Sequence, residues 1–265
     1  MAHTADSDGE DAALGIFDAP EGFYEPEKQS TTVNHTTLAG QELTLRLVGH
    51  SPLWGHYIWQ AALTISTYLE THASTLLHNK TVLELGAAAG LPSIIAALNG
   101  AKCVVATDYP DQDLVDILRH NLVSNCASQD RVRVDGYLWG ADISRLLSYL
   151  PDKSNSTAAE HGFDVLILAD LLFNHSEHQK LLSTILQTLR KPSSNSTSGT
   201  ALVFFSPYRP HLLEADMAFF PLAEAGGLKV EKLLETKMEK VMFPEDRGDE
   251  EVRRTVFGFA LTWAE

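Results

Sequence analysis

Two glycines four residues apart, Gly86 and Gly90, close one apolar run and open another, and few architectures tolerate that arrangement. Val82, Leu83 and Leu85 form a short apolar run that stops at Gly86, as a strand buried on both faces does. Ala87, Ala88 and Ala89 fill the interval, and Leu91 to Leu98 reads as a helix. The segment is therefore strand, small-residue turn, helix. Missing or tiny side chains let a ligand lie against the backbone, and a helix start presents unpaired N–H groups. A second strand follows over Lys102 to Thr107, with Asp108 at its end, where a carboxylate can take both hydroxyls of a ribose. The unit is built for an adenosine-containing cofactor.

A pyrophosphate turn needs G-x-G-x-x-G, so that the phosphates settle on the helix N-terminus. Here the spacing is G-x-x-x-G with Ala88 in the middle, and Glu84, two residues before Gly86, is expected to repel a phosphate and favour a cation. S-adenosylmethionine has no phosphate and carries an α-ammonium and a sulfonium. The pattern favours that cofactor over NAD, and an ordinary tight turn in another α/β enzyme is the competing reading.

With 35 acidic and 20 basic residues the chain carries a net charge of −15, which argues against a nucleic-acid partner and suits a basic protein or peptide. The length of 265 residues fits one large α/β domain or two small ones. The two cysteines, Cys103 and Cys126, imply no disulfide framework, and no run reaches transmembrane length. The expectation is a monomeric cytoplasmic protein with no membrane association. Residues 1–30 hold eight acidic residues and one Lys, so 1–16 is expected to be a disordered acidic terminus and 17–265 the folded domain, with Phe23 and Tyr24 as its first anchors.

Leu43 to Val48 alternates like a half-exposed strand, and Tyr57 to Leu69 has helical spacing, with Trp59 assigned to its core stripe. Asp111, Asp113 and Asp116 open a helix through Asn121, where the dipole favours acids. Arg131 to Asp135 is a short strand, and Phe163 to Ala169 is the strongest buried strand. Ser176 and Gln179 read as a capping box for the following helix. Ala201 to Ser206 is the next strand, and a helix over His211 to Ala225 is expected to be kinked or shortened by Pro221. Leu228 to Leu234 and Val252 to Trp263 have no crossover helix between them and should pair antiparallel. The fold class is thus α/β, a single-domain seven-stranded Rossmann-like sheet with the last strand antiparallel.

Five segments carry a resemblance: Trp54-Gly55, Glu84 to Ser93, Ala106 to Asp111, Leu138 to Gly140 and Asp170 to His175. Together they resemble the seven-β-strand lysine methyltransferases, and within that group the fungal protein N-terminal and lysine methyltransferases that act on translation elongation factor 1-alpha. That family was formerly called nicotinamide N-methyltransferase-like. The similarity runs from about Phe17 to the C-terminus. It implies S-adenosylmethionine as cofactor, with contacts from Trp54, Gly86, Ala87, Ala88, Asp108, Trp139 and Ala169. It also implies catalytic work by Asp170 and Phe173, which match an Asp/Glu-x-x-Phe/Tyr motif: Asp170 orienting the amine or simply capping the next turn, Phe173 facing the methyl groups. Tyr208 and Arg209 are further substrate-side candidates. A small-amine methyltransferase and a non-catalytic binding protein are the alternatives. His175 and His178 lie three apart, but no carboxylate or cysteine cluster completes a metal site, and none is expected.

Overall fold

The computed structural model describes residues 29–49, 55–126, 129–151, 161–193 and 197–264. Phe23, Tyr24, Trp54, the boundary at residue 17 and the insert at 152–160 lie outside them. The chain opens with an antiparallel hairpin, β1 (Thr31–Thr36) and β2 (Glu42–Leu47), in which Leu43, Leu45 and Leu47 point inward as their alternation requires. Helices α1 (Gln60–Thr71) and α2 (Ala73–Leu76) lead into the main sheet. There, β3 (Thr81–Leu85), β4 (Cys103–Asp108), β5 (Val132–Gly136), β6 (Val165–Ala169) and β7 (Thr200–Phe205) run parallel. They are joined by α3 (Leu91–Leu98), α4 (Gln112–Asn125), α5 (Ser144–Ser148) and α6 (His178–Thr188). After α7 (Leu213–Met217) and α8 (Phe219–Ala225) come β8 (Leu228–Lys237), α9 (Glu250–Arg253) and β9 (Thr255–Trp263).

The sheet order is β5-β4-β3-β6-β7-β9-β8, with β9 inserted antiparallel between β7 and β8. The paired last strands and the antiparallel β9 follow the sequence expectation. The order reverses at β3, whose neighbours β4 and β6 lead away in opposite directions. A crevice therefore opens at the carboxyl ends of β3 and β6. Successive residues of each strand feed opposite faces. Val82, Val104 and Ile167 pack under α1, α3 and α4, while Leu83, Val105 and Leu168 pack against α5, α6 and α8. Burial on both faces explains the mainly apolar central strands; each buried apolar side chain contributes about 1.5–3 kcal/mol.

The hairpin is tied to the crevice by the fully buried Asn121 of α4. Its side chain accepts from Arg46 N–H at 2.8 Å, and its amide donates to the carbonyls of Arg46 at 2.8 Å and Ala89 at 3.0 Å. Three local expectations are corrected. Ser176 forms no capping box: its hydroxyl donates to Asn174 Oδ1 at 3.0 Å, and α6 begins two residues later, after a 3₁₀ turn. The helix expected over 211–225 breaks at Ala218, three residues before Pro221. Proline sits in the first turn of α8, where a missing N–H is not needed. The strand expected from Val252 starts at Thr255, because the residues before it form α9. Asp249 caps that short helix by accepting from Glu251 N–H at 2.8 Å.

Candidate active site

The carboxyl ends of β3, β4, β6 and β7 surround a cavity of about 510 Å³. Of the residues singled out from the sequence, Gly86, Ala88, Asp108, Trp139, Ala169, Asp170 and Phe173 all line it. Trp54 lies outside the described residues. Ala87 departs from expectation: its methyl group packs into the core under α1 and α3, and its N–H is taken by the carbonyl of Thr107 at 2.9 Å.

The turn after β3 is left-handed at three points, Gly86 (φ 60°), Ala88 (φ 46°) and Gly90 (φ 77°). A Cβ on Gly86 would fall 2.6 Å from Leu171 Cδ2, so glycine there lets the turns after β3 and β6 approach each other. Ala88 is held in its unusual conformation by Asp108, whose carboxylate accepts from Ala88 N–H at 2.6 Å and Tyr109 N–H at 2.7 Å. Burial raises the Asp108 pKa, and those two hydrogen bonds oppose the rise.

Glu84 does not act as the sequence suggested. It is buried beneath α3, away from the cavity, and accepts from the backbone N–H and hydroxyl of Ser93 in the first turn of that helix. Burial pushes its pKa to about 8. Gly90, at the helix start, offers no side-chain cap, so Glu84 supplies one from the sheet. A carboxyl group thus already occupies a donor at the helix end where a dinucleotide's pyrophosphate would settle. The expected repulsion of a phosphate by Glu84 across the pocket is therefore corrected: Glu84 does not line the cavity. The folded state holds this proton more tightly than the unfolded chain, so between about pH 4.5 and 8 its contribution to stability falls as pH rises. Glu84→Gln keeps the acceptor for both Ser93 donors and removes the titration. Its melting temperature is expected to exceed that of the unmodified protein at about pH 8.5, with the gap closing toward about pH 5. Equal melting temperatures across this range in a scanning calorimeter would exclude a carboxyl held neutral by burial.

On the β6–β7 side, Asp170 has φ 55°, a left-handed conformation that Asp tolerates better than most residues. It does not cap the turn that follows it. Its Oδ1 accepts from Ser206 N–H at 2.7 Å, and its Oδ2 accepts from Ala61 N–H at 3.3 Å and the Tyr208 hydroxyl at 3.2 Å. The carboxyl therefore joins the ends of β6 and β7 to the start of α1. Burial pushes its pKa up to about 7, against the pull of these donors. Burial, and then the Asp170 charge, lift the Tyr208 hydroxyl well above its usual range, so it stays protonated and donates. Phe173 is half-exposed at the rim, and its carbonyl accepts from Arg209 Nη2 at 2.9 Å. Trp59, read from the sequence as core, is the residue before α1 and stands in the cavity wall with Tyr208 and Phe243. Phe243 was missed; a solitary aromatic beside the polar 244–251 loop was the available signal. Asp216 also lines the wall and accepts from His175 Nε2 at 2.7 Å, while His178 Nε2 pairs with the carbonyl of Leu172 at 2.8 Å. Among the described residues, no three His, Cys, Asp or Glu side chains are grouped to hold a metal ion. The described residues of the cavity wall include five carboxyl side chains, Asp108, Asp170, Glu177, Asp216 and Asp246, against the two cations Lys180 and Arg209.

The site fits S-adenosylmethionine. A small-residue turn, a carboxylate at the end of β4 and the aromatic Trp139 line one half of the cavity, and acidic walls suit a ligand with two positive centres. Residues 39–222 match the lysine methyltransferase family. A protein of Emericella nidulans, named protein N-terminal and lysine N-methyltransferase efm7, is 47% identical over 94% of this chain and 95% of its own. The Schizosaccharomyces pombe protein of the same name is 41% identical over 97% and 98%. Among solved structures, a protein of Pyrococcus horikoshii classed as a transferase shares the fold with a TM-score of 0.53 at 16% identity, covering 91% of this chain and 74% of that one. The likeness to the two curated relatives covers nearly the whole chain, and the chain belongs to the lysine methyltransferase family, a methyltransferase that uses S-adenosylmethionine.

Proposed function

We propose that this protein methylates the N-terminal glycine of translation elongation factor 1-alpha, exposed once methionine is removed, and the lysine beside it. The observation that carries the chemistry is the hydrogen bond from Tyr208 to the buried Asp170 carboxyl, in a cavity whose charged residues are mostly acidic, which suits an amine on a basic protein segment. The full-length likeness to proteins named as N-terminal and lysine N-methyltransferases supports a protein amine over a small one. The protein works as a monomer in the cytoplasm, with residues 17–265 as the catalytic domain. Cys103 and Cys126 are free and buried, which suits a reducing compartment, and no helix among the described residues is long and apolar enough to cross a membrane.

Gly86, Ala88, Asp108, Trp139 and Ala169 would hold the cofactor, with the Asp108 carboxylate facing its ribose and Trp139 its adenine. When bound, it supplies a methyl group on a sulfonium, and the sulfur keeps the bonding electron pair as the amine lone pair forms the new N–C bond. The protein's own task is to hold a neutral amine in line. An α-amine with a pKa near 8 loses its proton more readily than a lysine near 10.4. Asp170 accepts the amine's hydrogen bond and orients its lone pair, and Phe173 shields the rim.

The test uses labelled S-adenosylmethionine, the purified protein and elongation factor 1-alpha with its native N-terminus, read by mass spectrometry of the N-terminal peptide. Methyl groups on the first amine or the adjacent lysine are expected. An unmodified peptide, with cofactor binding intact, would transfer the activity to another amine.

A further inference from the structure

We propose that Trp59, Tyr208 and Phe243 form an aromatic subsite for the methylated ammonium group, and that this subsite governs how many methyl groups an amine receives. The three rings come from distant parts of the chain and meet in one cavity wall. Ring centroids lie 5.0 Å apart for Trp59–Tyr208, 5.9 Å for Trp59–Phe243 and 6.1 Å for Tyr208–Phe243. The assembly is fixed from behind. Tyr57 packs edge-on against Trp59 and Phe243, and the buried Arg253 donates to the Phe243 carbonyl at 2.7 Å. Gln60 ties the same segment to α1 by donating to the Lys240 carbonyl at 2.7 Å.

The wall flanks the ends of β6 and β7, across the switch point from Asp108 and Trp139, so it faces the amine rather than the adenine. Asp170 accepts from the Tyr208 hydroxyl, and Asp216 and Asp246 share the cavity, which makes the occupant a cation. The inference rests on the methyl-transfer reading above. Each turnover replaces an N–H by N–CH3, and a proton must leave the product ammonium for solvent before the next transfer. With every methyl group the amine loses a donor for Asp170 and gains a surface that only ring faces can hold. The wall therefore retains mono- and dimethylated amines long enough for further transfer.

The test titrates the full-length protein with tetramethylammonium, observed by saturation-transfer NMR, with ammonium at equal ionic strength as control. Saturable binding of tetramethylammonium is expected, weakened about tenfold in Trp59→Leu and in Phe243→Leu, the scale of one desolvated cation–π contact. In parallel, both variants should shift the products of the peptide assay toward monomethylation. Phe243→Leu carries the test if Trp59→Leu does not fold. Tetramethylammonium binding no better than ammonium, or binding equal in the unmodified protein and the folded variants, would overturn the subsite. Because tetramethylammonium needs no peptide, a failure of the elongation-factor reading leaves this measurement intact and is seen separately.

Discussion

Asp170→Asn is expected to slow methyl transfer about 100-fold, the scale of a lost positioned base or orienting carboxylate. Cofactor affinity should stay within about threefold, because Asp170 lies on the β6–β7 side while the proposed cofactor residues gather mainly on β3 and β4. The asparagine can keep its oxygen toward Ser206 N–H, but its NH2 then faces Ala61 N–H and the Tyr208 hydroxyl. The hydroxyl can rotate to accept; the backbone N–H cannot. The variant also changes the pH response. Ionised Asp170 is the active form and its pKa lies at about 7, so activity of the unmodified enzyme should climb as pH rises through that value. Asp170→Asn should lose this limb and retain only the rise set by the substrate amine. Single-turnover rates across pH provide the check, and a rate within about threefold of the unmodified enzyme would reduce Asp170 to a structural tie.

Removing the Asp108 side chain is the second large effect. Asp108→Ala deletes the acceptor that holds Ala88 N–H and Tyr109 N–H, so the left-handed turn loses its restraint along with the group facing the ribose. Hydrogen bonds to a charged group contribute about 1.5–3 kcal/mol, so the dissociation constant for S-adenosylmethionine should rise about 10- to 150-fold. Calorimetric titration measures this directly, and unchanged affinity would remove Asp108 from the cofactor site. Asp108→Asn separates the two contributions: it retains one acceptor for the turn and loses the charge.

Most of the scaffold was legible in the residues themselves. Strands buried on both faces are largely apolar, which marked β6 throughout and β3 apart from Glu84, and the glycines at 86 and 90 marked the turn between strand and helix. These signals are local: a period, a cap or a φ angle is fixed by residues a few positions apart. For the same reason Asp108 could be named in advance from the strand it ends, whereas Trp139 and Asp170 were named through the family resemblance. Element boundaries such as those near Ser176, Ala218 and Val252 were misplaced by a few residues, and the errors about the site arose where the partner was remote. Glu84 looked like a pocket residue because its proximity to Gly86 was visible, whereas its burial under α3 and its bond to Ser93 depend on how helix packs on sheet. Trp59 matched a core stripe because the stripe cannot show that its helix starts one residue later, at the mouth of the crevice.

The sequence by itself determined the seven strands of the main sheet, most of the helices between them, the small-residue turn and the acidic end of β4, because these depend on neighbours along the chain; β1, α2, α5 and α9 left no such signal. The tertiary structure decided which residues share a wall. Trp59, Asp170, Tyr208 and Phe243 are spread over most of the chain, and only the reversal of strand order at β3, with β9 slotted between β7 and β8, brings them together around one cavity. Convergence over such separations is set by packing of the whole sheet, and no local pattern encodes it.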